Sequence, residues 1–106
     1  MTNLSIDVWT INFWIKENAI SFDDNQITEI FNLNPPGGSI FMLKDADNLF
    51  KVMYVVLWKW RVDLEYDVSN LAKDKRHMIT VIWNIKDSLA LSIDWIEVKK
   101  EKTNFK

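Results

Sequence analysis

Hydrophobic and polar residues alternate along much of this chain with a period of two. The clearest case is segment 60–68, in which apolar residues occupy the even positions and charged residues the odd ones. A strand sorts alternate side chains onto opposite faces, whereas a helix would scatter them around its circumference. The segment therefore predicts a strand with one face on a core and the other towards water or a ligand.

Six further segments carry the same alternation or a run of β-branched and aromatic residues. They are residues 10–16, 27–33, 39–43, 50–58, 77–84 and 89–98. Segment 50–58 is almost continuously apolar, which is typical of a central strand covered on both faces. Each segment is short enough to be one strand of a compact sheet.

Turn residues separate these segments. The clearest are Asn-Pro-Pro-Gly-Gly at 34–38 and the polar stretch 84–88, while residues 69–75 are expected to form a single turn. No segment predicts an amphipathic helix of useful length. The pattern therefore predicts an all-β fold, an antiparallel β-sandwich of the jelly-roll type with about seven or eight strands.

The composition fits one globular domain over residues 1–106. The formal net charge is −2 and 48% of the residues are hydrophobic, which is ordinary for a folded domain. A nucleic-acid-binding domain usually has a basic face, so we expect no nucleic-acid partner. The chain has no cysteine, which excludes disulfides and thiolate metal sites. A single histidine, His77, makes a histidine-based zinc site unexpected, and we expect it to be structural or at the surface.

No part of the sequence predicts export or a membrane span. Residues 1–7 lack the basic and apolar regions of a secretory signal. No apolar run approaches the roughly 18 residues that a membrane-spanning helix requires. We therefore expect a protein of the cytoplasm or of a viral or phage particle rather than a secreted one.

Three segments resemble, in order, strands of the laminin-G-like domains in the concanavalin A-like lectin/glucanase superfamily. They are Thr-Ile-Asn-Phe-Trp-Ile-Lys at 10–16, Arg-His-Met-Ile-Thr-Val-Ile-Trp-Asn at 76–84 and Leu-Ala-Leu-Ser-Ile-Asp at 89–94. The family's later strand typically reads Trp-His-His-aliphatic-x-Val-x-Trp-Asp, and the strand after it closes with Leu-Tyr-Ile-Asp-Gly. The resemblance implies a jelly-roll sandwich that recognises a carbohydrate.

Two positions depart from the family pattern. Arg76 stands where the family has tryptophan, and Trp95 stands where it has a turn-forming glycine. Glycine adopts a positive φ at no steric cost, so we expect the strand to run on through Trp95 and Ile96 to Val98. The family also continues with further strands, including one that pairs with the first, so the resemblance implies open sheet edges. Either the fold is a compact variant, or a second chain supplies the missing pairing, and the second option predicts a homo-oligomer or a part of a larger assembly.

An acidic ladder formed by Asp63, Glu65 and Asp67 is the most suggestive group of charged residues. Residues two apart on a strand project from one face about 7 Å apart, a separation at which two carboxylates suit an inverting glycosidase. Some glucanases of the superfamily carry Glu-x-Asp-x-Glu instead, so we predict no enzyme and keep a small glycosidase as a second alternative. Weak calcium binding by these oxygens stays open, and no other cofactor is predicted. The simplest interpretation is the solvated face of an amphipathic strand.

Tryptophan is unusually frequent, with six in 106 residues. Trp58 and Trp60 are two apart, so both point to one face if the strand is unbroken there. Trp14 lies on the face of its strand opposite the aliphatic residues. Exposed rings of this kind anchor binding sites, whereas buried ones fill a core or an interface. We expect Trp83 in the core and Trp95 at the surface.

These features predict a non-catalytic binding module, with carbohydrate recognition on an aromatic and acidic sheet face as the first hypothesis. The predicted ligand-binding residues are Trp14, Trp58, Trp60, Asp63, Glu65 and Asp67. The alternative is a structural or assembly subunit of a phage, viral or cell-surface particle that contacts protein through open sheet edges and exposed tryptophans. The partner is accordingly a glycan or another protein chain, and no catalytic residue or metal ligand is predicted.

Overall fold

The described part of the chain folds into eight β-strands. The computed structural model describes residues 7–59 and 61–103, and no helix occurs in these two ranges. The strands are β1 (Val8–Ile15), β2 (Thr28–Leu33), β3 (Gly38–Lys44), β4 (Leu49–Val56), β5 (Arg61–Asp67), β6 (His77–Asn84), β7 (Ser88–Ile93) and β8 (Ile96–Lys102). The predicted all-β fold with about seven or eight strands is confirmed. Within the described ranges, no helix has the length and hydropathy needed to cross a membrane.

The strands form two four-stranded sheets in which every pairing is antiparallel. Sheet A has the order β1-β6-β7-β8, and sheet B has the order β2-β3-β4-β5. On one side of the molecule β5 lies near β8. On the other side the edge strands β1 and β2 approach each other, and the ring centroids of Phe13 and Phe31 are 5.8 Å apart.

The inner faces of both sheets form one core. Buried and half-buried residues alternate along β4, which places Phe50, Val52, Tyr54 and Val56 inside. Trp83 of β6 is fully buried, and its ring lies 6.4 Å from the ring of Tyr54. The expected core position of Trp83 is therefore confirmed. Burial of the Tyr54 hydroxyl raises its pKa well above the ordinary value.

The segment predicted as one strand at 89–98 is two strands joined by a tight turn. Asp94 and Trp95 have φ values of 54° and 67°, and β7 pairs with β8 on either side of them. This is the geometry of a two-residue type I′ hairpin, so the expectation that the strand runs on through Trp95 is wrong. The Asp94 carboxylate stabilises the turn by accepting the N–H of Met78 at 3.0 Å, while the N–H of Asp94 donates to the Met78 carbonyl at 2.8 Å.

His77, at the first position of β6, is buried with an oxygen at each ring nitrogen. Nδ1 lies 2.7 Å from the Asp94 carboxylate, and Nε2 lies 2.6 Å from the carbonyl oxygen of Ala72. Because both partners accept hydrogen bonds, a neutral ring can donate to only one of them, whereas a doubly protonated ring donates to both. The ring of Phe22 packs edge-on against the imidazole, with centroids 5.8 Å apart. His77 thus ties the β7–β8 turn to loop 68–76.

Lys44, the last residue of β3, is fully buried and joins two loops. Its ammonium lies 2.7 Å from the Asp24 carboxylate and donates as well to the carbonyl oxygen of Gln26 and to Asn48 Oδ1. The hydrogen bond from Lys44 lowers the pKa of the Asp24 carboxyl below its ordinary value, and the N–H of Gln26 adds to the effect. Lys44 therefore stabilises the fold and is not part of the solvent-exposed surface.

The connecting segments divide between two ends of the sandwich. The His77 end carries residues 16–27, 45–48, 68–76 and 94–95, and the Trp58 end carries residues 34–37, 57–59 and 85–87. At the Trp58 end the N–H of Leu57 donates to the carbonyl of Gly37 at 2.8 Å, and the N–H of Ile85 donates to that of Asp7 at 2.7 Å. Both ends also have hydrogen bonds of side chains, but the buried polar side chains Lys44 and His77 lie at the first end.

Candidate functional site

The turn between β4 and β5 places Trp58 at the tip of its end of the sandwich. The N–H of Lys59 donates to the carbonyl of Val56 at 3.1 Å, which closes a four-residue turn with Trp58 at the third position and a φ of 66°. This position favours glycine, because a side chain crowds the left-handed backbone. The other described non-glycine residues with positive φ, apart from Trp95, are Asn18, Asn25, Asn48 and Asp94. Asn and Asp tolerate this conformation, so the two tryptophans stand apart.

The strand predicted at 50–58 therefore ends at Val56. The sequence pattern predicted that Trp58 shares a strand face with Trp60, but the chain reverses between the two strands and Trp58 lies in the turn. Trp60 lies outside the described residues. The side chain of Trp58 is fully exposed, at 101% of its reference area, so the protein interior gives it no support.

An open cavity of about 540 Å³ lies against this turn. It is lined by Val55, Val56, Leu57, Trp58, Lys59 and Arg61. Four of these six residues are apolar and two are cationic. An apolar wall with a few polar groups is typical of small-molecule sites.

Two charged residues of β5 continue the same surface. Arg61 Nη2 lies 3.3 Å from the carboxylate of Asp63, and the strand register sets Arg61 beside Val55 and Asp63 beside Met53. Val62 between them packs against the core and Leu64 after them is buried in it, so these four side chains lie on the outer face of sheet B. Asp63 Oδ1 is buried, with no hydrogen-bond partner in the described ranges.

The other two carboxylates of the ladder lie further along β5. Glu65 is exposed and stands opposite Lys51 of β4. Asp67 ends the strand, six residues or about 20 Å beyond Arg61. Its Oδ1 accepts the hydroxyl of Ser69 at 2.7 Å and the N–H of Ser69 at 2.8 Å, and these bonds lower the pKa of the Asp67 carboxyl. Asp67 thus stabilises a loop at the His77 end, away from Trp58.

Trp14 lies on sheet A near the His77 end, so the structure does not bring it together with Trp58. Its ring meets that of Trp95 edge-on at 5.6 Å, and the guanidinium of Arg76 lies 4.6 Å from its centroid. Arg76 Nε lies 3.6 Å from the carboxylate of Glu17. Trp14 is 43% exposed and Trp95 is 71% exposed, which confirms the expected surface position of Trp95. The two rings support each other in a second aromatic surface.

The sequence pattern did not single out Leu57, Lys59 or Arg61 as site residues. Lys59 interrupts the apolar run and is the only local sign of a reversal, because the turn contains no glycine, proline, asparagine or aspartate. Arg61 follows the alternation of β5 and therefore reads as an ordinary solvated residue.

No family model, curated protein or solved structure matches the chain. Within residues 7–59 and 61–103, no group of three or more histidine, aspartate or glutamate side chains can hold a metal ion. The chemistry of the site therefore follows from its geometry alone. An exposed indole, an apolar wall and a guanidinium–carboxylate pair can bind a ligand by stacking and by hydrogen bonds.

Proposed function

We propose that the chain is a non-catalytic carbohydrate-binding module whose site is the outer face of the β4–β5 hairpin around Trp58. The observation that carries this proposal is a fully exposed indole on a backbone conformation that favours glycine. Such a residue destabilises the fold through its left-handed backbone and through its exposed apolar surface. Local strain of this kind clusters at functional sites, so a ligand that covers the ring is a physical reason for it.

A sugar ring suits these side chains. One face of many pyranoses presents C–H groups, while hydroxyls project from the rim, so a flat aromatic ring can cover the face and polar side chains can bind the rim. Arg61, which lines the same cavity as Trp58, supplies donors, and Asp63, paired with Arg61 on β5, supplies an acceptor. The cavity of about 540 Å³ falls in the usual range for small-molecule sites.

The resemblance to laminin-G-like domains supports the same function, since it implies carbohydrate recognition on a jelly-roll sandwich. Among the residues predicted from the sequence, Trp58 and Asp63 belong to the proposed site and Glu65 lies at its margin. Asp67 and Trp14 are not part of the proposal, because one caps a loop and the other packs on Trp95.

The test is a glycan array followed by titration calorimetry with the best ligand. Trp58→Ala should weaken binding about tenfold or more, which corresponds to roughly 1.4 kcal/mol. Trp95→Ala is the matched control, since it removes an exposed tryptophan with the same backbone conformation from a different surface. Equal loss in both variants, or binding unchanged by Trp58→Ala, would show that the β4–β5 hairpin is not the site.

A second candidate function is a structural or assembly subunit that binds another protein chain. The observation in its favour is the exposed apolar surface of sheet A and of the turn that closes it. Its members are Val8, Trp14, Ile82, Trp95 and Ile96. The absence of binding across a broad glycan array, together with a variant such as Ile82→Lys that disrupts a stable complex, would favour this candidate over the first.

A further inference from the structure

The two sheets end in four edge strands, and three of them carry features that discourage further pairing. β2 has an irregular register between Glu29 and Phe31. β5 presents four charged residues on one face, and β8 contains five charged residues and meets β7 with a register shift. Charges and bulges at an edge are the usual protection against the addition of another strand.

β1 has none of these features. Its sequence, Val-Trp-Thr-Ile-Asn-Phe-Trp-Ile, contains no charge, no proline and no glycine. Its eight residues pair with β6 without a shift in register. A long, regular and uncharged edge strand of this kind is a template for another strand.

The outward backbone groups of β1 follow from two observations at its ends. Both the N–H and the C=O of Met78 are directed to Asp94, so Trp14, the partner of Met78 in the register, does not exchange hydrogen bonds with it. At the other end the carbonyl of Asp7 accepts from Ile85 on the β6 side. Antiparallel ladders alternate. The N–H and C=O groups of Val8, Thr10, Asn12 and Trp14 therefore face away from β6.

We propose that β1 pairs with β1 of a second copy of this chain around a two-fold axis, which joins two A sheets into one eight-stranded sheet. An antiparallel register centred on Ile11 sets Val8 opposite Trp14 and Thr10 opposite Asn12. Because even-numbered residues then pair with even-numbered ones, the outward-facing side chains of both copies stay on one face. This register uses all four residues whose backbone groups face outward.

The uncharged sequence of β1 makes a second copy a suitable occupant of its edge. Self-pairing of β1 brings no like charges together, whereas self-pairing of β8 would bring together residues such as Lys99 and Lys100 with their copies. The proposed pairs are also matched in polarity, with apolar Val8 opposite Trp14 and polar Thr10 opposite Asn12. A two-fold interface must be complementary to itself, and β1 meets this requirement.

The inference is independent of the proposed carbohydrate site. β1 is the edge of sheet A, and the hairpin that carries Trp58 belongs to sheet B. Pairing through β1 leaves both hairpins open, so a dimer would present two sites and gain avidity towards a repeating ligand. Loss of the dimer should change avidity and leave the affinity of a single site unchanged.

The test is the solution mass by light scattering over a tenfold concentration range. We expect twice the chain mass of 12.6 kDa. Asn12→Lys should shift the chain to monomer at concentrations where the original protein is dimeric, because a lysine at the edge opposes strand pairing. Thr80→Lys is the matched control. The Thr80 hydroxyl donates to Asn12 Oδ1 at 2.8 Å, so both variants lose the same hydrogen bond, but Thr80 lies on the central strand β6.

Asn12→Pro provides a second variant. It removes an N–H that faces the open edge and does not take part in the β6 ladder, and circular dichroism checks that the sheet is retained. A monomeric original protein, a dimer that survives both edge variants, or equal dissociation by Thr80→Lys would each overturn the proposal. Polydisperse species that grow with concentration would overturn the closed two-fold pair and indicate open-ended aggregation instead.

Discussion

The β4–β5 and β7–β8 hairpins both turn through a tryptophan in the left-handed region. Trp58 has a φ of 66° and Trp95 a φ of 67°. The ring of Trp95 leans edge-on against Trp14, and the residue before it, Asp94, is bonded to His77 and to the backbone of Met78. Trp58 has no such support and stands fully exposed beside a cavity.

The two hairpins differ in how their backbone strain is compensated, and under the proposed function a ligand provides the compensation at Trp58. At the β7–β8 turn, hydrogen bonds and an aromatic contact offset the unfavourable backbone of Asp94 and Trp95. At the β4–β5 turn, within residues 7–59 and 61–103, no aromatic contact or side-chain hydrogen bond of Trp58 offsets its left-handed backbone. Backbone strain alone therefore does not identify a functional residue; strain without local compensation does.

The same contrast extends to the two ends of the sandwich. At the His77 end, Lys44 and His77 are buried polar groups that hold loops through several hydrogen bonds each. Buried polar groups that keep all their partners fix one arrangement of the surrounding chain. The Trp58 end presents a solvent-exposed surface, and we expect changes there to affect binding more than stability.

The largest expected effect comes from removing the support of the β7–β8 turn. His77→Ala removes a hydrogen-bond partner of the Asp94 carboxylate and of the Ala72 carbonyl, together with the ring that packs on Phe22. We expect a loss of roughly 3 kcal/mol in the free energy of unfolding, since the variant leaves a cavity at a buried position and removes hydrogen bonds worth about 0.5–1.5 kcal/mol each. Urea denaturation at one fixed protein concentration measures it.

The control for His77→Ala is Trp58→Ala, which removes a larger side chain from the opposite end. We expect its free energy of unfolding to stay within about 0.5 kcal/mol of the original. If the two variants lost equal stability, the contrast between the ends would be wrong.

A smaller effect is expected from the carboxylate beside Lys44. The Lys44 hydrogen bond lowers the pKa of Asp24 in the folded chain below its ordinary value of 3.8, so at intermediate pH the native state holds fewer protons on this group than the unfolded state. The resulting stabilisation is present above the unfolded pKa and is lost as the pH falls through the folded pKa. Asp24→Asn should therefore lower stability at neutral pH and flatten its decline in acid.

Stability measured by urea denaturation between about pH 2 and pH 7 tests this dependence. Asp47→Asn is the matched control, because Asp47 lies in the neighbouring β3–β4 turn and makes no hydrogen bond to Lys44 in the described ranges. The proposed role of the Lys44–Asp24 pair would be wrong if the free energy of unfolding of Asp24→Asn and of the original protein fell in parallel as the pH was lowered.

The sequence pattern predicted the strands well wherever polar and apolar residues alternate. The bounds of β6 agree with the predicted segment 77–84, and β5 differs from its segment only at the ends. The pattern missed both tryptophan turns, because turn prediction depends on residues such as glycine that reach positive φ easily. Tertiary contacts set those reversals instead, and an apolar run cannot reveal them.

The sequence predicted only part of the candidate site, because the turn that carries Trp58 was not recognised. The alternation along β5 placed Asp63 on an outer face, but assigning Trp58 to a strand put it in the wrong geometry. The sequence also did not predict the burial of Lys44. This burial depends on Asp24, which lies twenty residues away in the chain and folds back over the end of β3. Local pattern identifies strand faces, whereas long-range contacts decide how loops meet.

The smallest expected effect is the change in the free energy of unfolding when glycine replaces either turn tryptophan. It tests the comparison most sharply, because we expect opposite signs at the two turns. Trp58→Gly relieves a left-handed side-chain clash worth about 1–2 kcal/mol and loses no packing, while glycine adds about 0.5–1 kcal/mol of unfolded-state entropy. We therefore expect Trp58→Gly to raise the free energy of unfolding by about 0.5 kcal/mol while glycan binding falls as in Trp58→Ala.

Trp95→Gly gains the same relief but loses the edge contact with Trp14, worth about 0.5–1.5 kcal/mol beyond the area it buries. This variant should therefore be less stable than the original protein and bind normally. Stabilisation of both variants would mean that the Trp14–Trp95 contact contributes nothing, and destabilisation of both would mean that Trp58 has structural support after all.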